Sequence, residues 1–472
     1  MLSIFAAAIE AARQVFVKAV REDVSAETFT DLVAVEQALR GASQEFGREL
    51  LQAFCDERLE QAKQPEQRPV CERGHRMELN RNSSWTRDSL FGSVQVSDVY
   101  AYCRVCGESA RPLHAFLGTD FERWSLDAQE VAVDLCADES CERAMHKFGR
   151  LFPGVEMDRS TARHFLNMHG ERARAFIEEK LRRVAAEGSA TSCALEIEVE
   201  VDGGMVPVAT LEDIEIEPGQ EPERTPVRGL IKRKKNCRYE EVRLGVIQLA
   251  QGGPRLYAVR PNFELDDLFH DVFALARELG LTERTDVRGI ADGAHYIRKR
   301  LKKAFDGWCA TYRFILDRPH AKEHLAEAAA ALEAWRGDPA GVWAKSALDR
   351  MERGDAADVV AELKREAERT GDEVLRLAAG YFENNKDSVK YAAYREKKWS
   401  TASSEVESAN RHVVQVRLKI SGAWWDPENV PNILALRMLK ANGWWDEYWD
   451  DQRARWHHRA AEFRARLTKV AA

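Results

Sequence analysis

Nowhere in the 472 residues is there a run of about 18 apolar side chains, so no segment is expected to span a membrane. A basic leader is missing too. The opening Met1-Leu-Ser-Ile-Phe-Ala-Ala-Ala-Ile is apolar but reaches Glu10 too soon for a secretory signal, and the expected location is the cytoplasm. Cysteine is scarce: nine in all, an odd number with only one closely spaced pair, which argues against a disulfide framework. Net positive charge is lacking as well. Seventy Lys and Arg against 78 Asp and Glu leave a formal charge of -8, so the whole chain does not advertise a nucleic-acid binder. Basic charge is instead local, in Lys232-Arg233-Lys234-Lys235 and in Arg298-Lys299-Arg-Leu-Lys302-Lys303. Either run alone is accounted for by a solvated face.

What is present is 44% hydrophobic and 31% charged residues in a length that suggests two to four domains. Residues 1–62 read as a helical region, with Ile4, Ala8, Ala11 and Val15, then Leu32, Val35, Leu39, Phe46, Leu50 and Phe54, at roughly helical spacing. Between 63 and 118 the character changes. Cys71 and His75 are followed, after the alternating Ser93-Val-Gln-Val-Ser-Asp-Val, by Cys103 and Cys106. Soft thiolates and an imidazole in two tight turns joined by a hairpin suit a closed, structural Zn2+ site. A redox pair is the alternative for Cys103 and Cys106, but no strand–helix context of that kind surrounds them. From 119 to 190 the pattern is helical again. Breaks at Asp138-Glu-Ser140 and Pro153–Ser160 fit either a helix-turn-helix-like DNA-binding region or an ordinary bundle.

The stretch Ala194-Leu-Glu-Ile-Glu-Val-Glu-Val-Asp202-Gly-Gly alternates, with Leu195, Ile197, Val199 and Val201 on one side and Glu196, Glu198 and Glu200 on the other. Asp202 falls on the glutamate side at the strand end. Residues 238–249 and 255–259 read as two further strands, Leu265 to Leu279 as a helix, and 286–292 as a short strand ending in Asp292-Gly. Another strand, 311–316, runs into Asp317-Arg-Pro-His320. Three antiparallel strands, a helix and a strand are an order consistent with a ribonuclease H-like α/β core. Residues 321–395 read as helices. In the following Ser403-Ser-Glu405-Val-Glu407, the two glutamates are two apart on a helix, so only one can face a given site. Seven of the twelve tryptophans lie beyond residue 398, where core packing and base stacking are the two readings.

Six motifs occur together and in order: Asp202-Gly-Gly, Ala291-Asp-Gly-Ala-His-Tyr-Ile297, Phe314-Ile-Leu-Asp-Arg-Pro-His-Ala-Lys-Glu-His-Leu325, Tyr381-Phe-Glu-Asn-Asn385, Glu407-Ser-Ala-Asn-Arg-His-Val-Val414 and Asn442-Gly-Trp444. The set resembles the ISKra-type insertion-sequence transposases, a DDE family with Mutator-like relatives, over roughly residues 70–450. The resemblance implies a ribonuclease H-like core in 191–320, an all-helical insertion in 321–395, the final glutamate helix in 396–440 and a Trp-rich C-terminal helix in 441–472. It implies that Asp202, Asp292 and Glu407 hold Mg2+ or Mn2+ for DNA strand cleavage and strand transfer. Asp317, His320, Lys232, Arg233, Lys234, Lys235, Arg298, Lys299, Lys302 and Arg411 are then expected beside the site or on DNA phosphates. The partners implied are double-stranded DNA, as terminal inverted repeats and target, and further copies of the chain in a dimer or larger assembly at the nucleoid. This sequence departs from the family pattern in having His75 for a cysteine, and Ser403-Ser404-Glu405 for a glycine-rich lead-in to Glu407. A transposase-derived DNA-binding protein with a regulatory or architectural role is the competing expectation.

Overall fold

The computed structural model describes residues 9–10, 13–14, 17–18, 32–64, 68–111, 113, 117, 123–188, 193–214, 231–336 and 339–468. Ile4, Ala8, Ala11 and Val15 of the expected N-terminal helix lie outside them. The chain divides into two compact units, Met1–Met168 with Trp445–Ala472, and His169–Trp444. Among the described residues no helix is long and apolar enough to cross a membrane.

In the first unit, helix α1 (Leu32–Lys63) lies on an antiparallel sheet of β1 (Glu78–Ser89), β2 (Gly92–Tyr102) and the short β3 (Ser109–Ala110), in that order. Leu51, Phe54 and Cys55 of α1 pack on Val94 and Val96, the inward positions of the alternating β2. Helices α2 (Leu126–Asp138) and α3 (Cys141–Leu151) begin at Ser125 and Ser140. Each serine side chain accepts a backbone N–H of the first turn, the capping that such sequences supply. Asp158 does the same for α4 (Arg159–Glu187), accepting from the amides of Ser160 at 2.8 Å and Thr161 at 3.0 Å. The C-terminal helix α15 (Trp445–Thr468) belongs to this unit: it buries Tyr448 and Trp449, pairs Arg453 with Glu130, and sets Trp456 beneath Arg87.

The second unit is built on a five-stranded sheet of β4 (Glu196–Asp213), β5 (Arg233–Leu249), β6 (Arg255–Pro261), β7 (Asp286–Ala291) and β8 (Thr311–Leu316). The order is β6-β5-β4-β7-β8. β4–β5 and β5–β6 are antiparallel, whereas β4–β7 and β7–β8 are parallel. Helix α5 (Leu265–Glu278) makes the crossover from β6 to β7 and buries Leu268, Phe269, Val272 and Leu275. Each such side chain contributes about 1.5–3 kcal/mol when fully withdrawn from water. Helix α6 (His295–Phe305) connects β7 to β8. A run of helices follows: α7 (Arg318–Arg336), α8 (Ala340–Arg353), α9 (Ala356–Thr370), α10 (Glu373–Asn385) and α11 (Tyr391–Glu396). They share an apolar core, with Leu332, Met351, Val359, Leu363 and Phe382, that is continuous with Ile290, Ile315 and Leu316 of the sheet.

The chain then forms α12 (Ser404–Ala409), widens to a π-helical turn over Asn410–Gln415 and closes with α13 (Val416–Leu418). A π turn leaves carbonyls unserved. Here Arg437 of the buried α14 (Val430–Ala441) donates to Val413 O at 3.1 Å and to His412 O. Two features differ from the sequence reading. β5 begins at Arg233, so the basic Lys232–Lys235 run lies largely within a strand, with Arg233 opposite Asp213. β4 does not end at Asp202: pairing with β5 carries it on to Asp213, with Asp202 opposite Leu244, and Glu198 and Glu200 are buried on the part of the strand where α12 packs.

Candidate metal centres

Cys71 and His75 sit in one tight turn, closed by Gly74 N–H on Cys71 O and by Cys71 N–H on His75 O, both at 2.9 Å. Cys103 and Cys106 sit in a second, closed by Gly107 N–H on Cys103 O and by Cys103 N–H on Glu108 O, both at 2.8 Å. The β1–β2 hairpin brings the turns together, and Glu72 N–H donates to the Glu108 carboxylate across the gap at 3.0 Å. The four ligand atoms all lie within 4.8 Å of one another. Cys71 Sγ is 3.4 Å from His75 Nδ1 and 3.6 Å from Cys106 Sγ, and His75 Nδ1 is 3.2 Å from Cys106 Sγ. Donors on a tetrahedron around one zinc stand about 3.3–3.8 Å apart, given bonds of roughly 2.0–2.3 Å. The arrangement fits, and the cluster could hold a metal ion such as zinc. Burial raises both thiols. At Cys71 the backbone N–H groups of His75 and Arg73 outweigh it and bring the thiol down to about 7. Cys106, beside two other sulfurs, is pushed up to about 11.

The second centre lies at one edge of the large sheet. Pairing of β4 with β7 runs to Val201 opposite Ala291, and pairing of β7 with β8 to Ala291 opposite Leu316. The next residue on each is an aspartate, so Asp202, within β4, and Asp292 and Asp317, just past the ends of β7 and β8, stand in one row across three parallel strands spaced about 4.8 Å apart. Burial raises the Asp202 carboxyl, and Asp292 raises it further, while the Gly203 amide, His320 and Arg243 pull it down; the balance is upward. Asp317 is buried, which would raise it, but hydrogen bonds from His320 and Ser403 hold it below the usual carboxylate range. Its Oδ2 is 2.6 Å from His320 Nδ1, and its Oδ1 accepts the Ser403 amide at 2.6 Å. That bond carries His320 up to about 9, with Asp202 adding to the shift. The bond to Asp317 and the nearby charge of Asp202 thus both favour the cationic form of His320.

Glu405 and Glu407 part company as their spacing requires. Glu405 pairs with Arg255 of β6 at 3.0 Å. Glu407 is exposed. It lies one helical turn before Asn410, hence on the same side of the helix, and Asn410 Nδ2 donates to Gly203 O at 3.1 Å. Gly204 permits that approach, since a Cβ there would fall 2.8 Å from the Asn410 amide. Among the described residues, only the Cys/His set gathers three or more candidate ligands within 4.8 Å. Asp202, Asp292 and Glu407 are not drawn that tight. The edge is rich in oxygen donors suited to hard divalent ions. Two buried side chains there, Asn385 and Asn410, carry an Oδ1 that accepts nothing within the described protein.

The basic residues have mixed surroundings. Arg298 donates to Asn384 O and lies over Phe314, while Lys299 and Lys302 are exposed. Lys234 and Lys235 are exposed on β5, Lys235 near Trp424 and Tyr239. Arg411 is exposed. Several residues escaped the sequence reading. Arg243 is buried opposite Gly203 on β5, pairs with Glu241 at 2.8 Å and donates to the Tyr296 hydroxyl. Glu200 accepts the Val406 amide at 2.9 Å and so caps α12 from beneath. Its alternation with Asp202 was the available signal.

Neither protein-family models nor curated proteins give a match to this chain. The site must be read from its own geometry.

Proposed function

We propose that this chain is a DDE transposase that binds the terminal inverted repeats of an insertion sequence and cuts and joins DNA at the edge carrying Asp202 and Asp292. The observation that carries the reading is the sheet: order β6-β5-β4-β7-β8, three strands antiparallel in succession and two more parallel to β4, with Asp202 of β4 and Asp292, just after β7, at neighbouring positions. This topology supports a ribonuclease H-like core, and the helices between β8 and α12 support an insertion into it. Asp202 and Asp292 are the residues that would hold Mg2+ or Mn2+, with Glu407 of α12 as the third carboxylate. Ions held there would supply activation of a water or a 3'-hydroxyl and charge stabilisation of the leaving oxygen for an in-line displacement at phosphorus.

The protein's own groups supply the rest. Arg243 and the His320 cation offset the negative charge of the carboxylates before any ion binds. Asp317 and Glu200 receive the first amides of the 403–406 segment and thereby seat the helix that bears Glu407. Lys299, Lys302, Lys234 and Lys235 offer phosphate contacts of the salt-dependent, sequence-independent kind. The Cys/His module and helices α2 and α3 are the candidates for reading the terminal repeats. A second reading, a DNA-binding protein with weak or no catalysis, draws support from the fact that Asp202, Asp292 and Glu407 do not all gather within 4.8 Å of one another. The deciding experiment incubates the full-length chain with DNA carrying the ends of its element. Mg2+-dependent cleavage lost in Asp202→Asn is expected; cleavage that persists in that variant would sink the mechanism, and DNA binding without cleavage would favour the second reading.

A further inference from the structure

The helical stretch 318–396 is more than a spacer between β8 and α12, because its helix α10 reaches back to the loop after Asp292. Tyr381 and Asn385 are one helical turn apart and point the same way. The Tyr381 hydroxyl donates to the backbone carbonyl of Asp292 at 2.6 Å. The Asn385 amide donates to the next carbonyl, Gly293 O, at 3.4 Å and to Tyr381 O at 2.9 Å. Burial holds the Tyr381 hydroxyl far above its ordinary pKa, so it stays a donor throughout the working range. Gly293 has φ +83°, and a Cβ on it would lie 2.4 Å from Leu316 and 3.1 Å from both Asn385 and Tyr381. The Asp292 carboxylate is tied to the same loop, its Oδ1 accepting Ala294 N–H at 3.0 Å. Two successive carbonyls, the glycine and the carboxylate are therefore fixed as one piece, and α10 holds that piece.

We propose that Tyr381 and Asn385 are positioning residues for Asp292: they set the direction of its carboxylate and so the affinity of the Asp202–Asp292 edge for a divalent cation. The inference rests on the metal-binding reading above. Groups that orient a ligand through a hydrogen bond are worth roughly 10–100-fold in metal affinity. Core packing alone would give Tyr381 and Phe382 a purely structural part, and the two roles separate in one experiment. Mn2+ binding to the zinc-loaded full-length chain is measured by the paramagnetic resonance of free Mn2+, alongside thermal melting. The variants are Asp202→Asn, Tyr381→Phe, Asn385→Ala and Tyr394→Phe. Tyr394 is the control: it is equally part of the helical core, and its hydroxyl serves the Asp387 carbonyl at 3.3 Å, away from the edge.

Loss of Mn2+ binding in Asp202→Asn, about tenfold weaker binding in Tyr381→Phe, weakening in Asn385→Ala and unchanged affinity in Tyr394→Phe are expected. Wild-type affinity in Tyr381→Phe overturns the positioning role while leaving the metal site standing. So does an equal loss in Tyr394→Phe, which would mean general loosening. Mn2+ binding that ignores Asp202→Asn removes the metal-site reading itself, and the positioning role with it.

Discussion

Removing the metal from the Cys71/His75/Cys103/Cys106 cluster should open both of its turns. The apolar cluster around them consists of Cys71, Met77, Ala101 and Cys103 in the interior, with Leu79, Cys106 and Ala110 against it. Two of its four buried members are themselves ligands. That leaves Met77 and Ala101, of which a fully buried Met contributes about 1.5–3 kcal/mol and Ala less. Ordering the dozen or so residues of the two turns costs about 1–2 kcal/mol each in backbone entropy, hence more than 10 kcal/mol. The few hydrogen bonds that close the turns add about 1 kcal/mol apiece. The shortfall, roughly 3–17 kcal/mol, is one that the roughly 10–16 kcal/mol of a structural zinc in small modules can largely cover. One equivalent of zinc is therefore expected in the purified chain by atomic absorption. With zinc, the amides of Cys71, Gly74, Cys103 and Gly107 should be protected from hydrogen exchange, and chelation or Cys103→Ser should abolish that protection. Chain that carries no zinc, or amides that stay protected after chelation, would refute the argument.

Glu200 gives a pH prediction. Burial, assisted by Glu198 and Glu405, raises its carboxyl to about 8 from an ordinary 4.5. The folded state thus holds a proton that the unfolded chain has released, so stability should fall as pH climbs from about 5 to 8, by the order of 1 kcal/mol per pH unit from this group. In Glu200→Gln that slope should flatten in denaturant titrations run in chelator; an unchanged slope would contradict it. Gly293→Ala should cost roughly 2–5 kcal/mol, since it joins a left-handed backbone to overlap with Leu316. An unfolding free energy from urea titration lowered by only a few tenths of a kcal/mol would mean that the loop is not held as described.

Much of the frame was legible because it is written in local pattern. The alternation of Glu196–Val201, the Asp-Gly pair at 292 and the Cys/His spacing each mark an element or its end within a few residues, whereas the Asp-Gly at 202 does not end its strand, because β5 pairs with β4 as far as Asp213. What covered the glutamates was not legible. The group that meets Glu200 is the backbone N–H of Val406, 206 residues on, and a backbone amide has no residue signature. The start of β5 was misjudged for a related reason. Arg233, Lys234 and Lys235 are poor strand formers, yet they extend a ladder already begun, each opposite a residue from Leu211 to Asp213. Glu405 and Glu407 could not be told apart by spacing. Arg255, from a strand far earlier in the chain, engages the first and leaves the second exposed.

The membership of α15 in the first unit bears on how the chain is made. Residues up to Met168 leave the ribosome well before the helix that supplies Tyr448, Trp449 and Arg453 to their unit. The whole of His169–Trp444 intervenes, tens of seconds of elongation at about 5–20 residues per second. The His169–Trp444 unit is thus complete, and free to fold, while the first unit still waits for α15. A nascent or truncated chain would carry the Asp202–Asp292 edge before it carried a finished first unit.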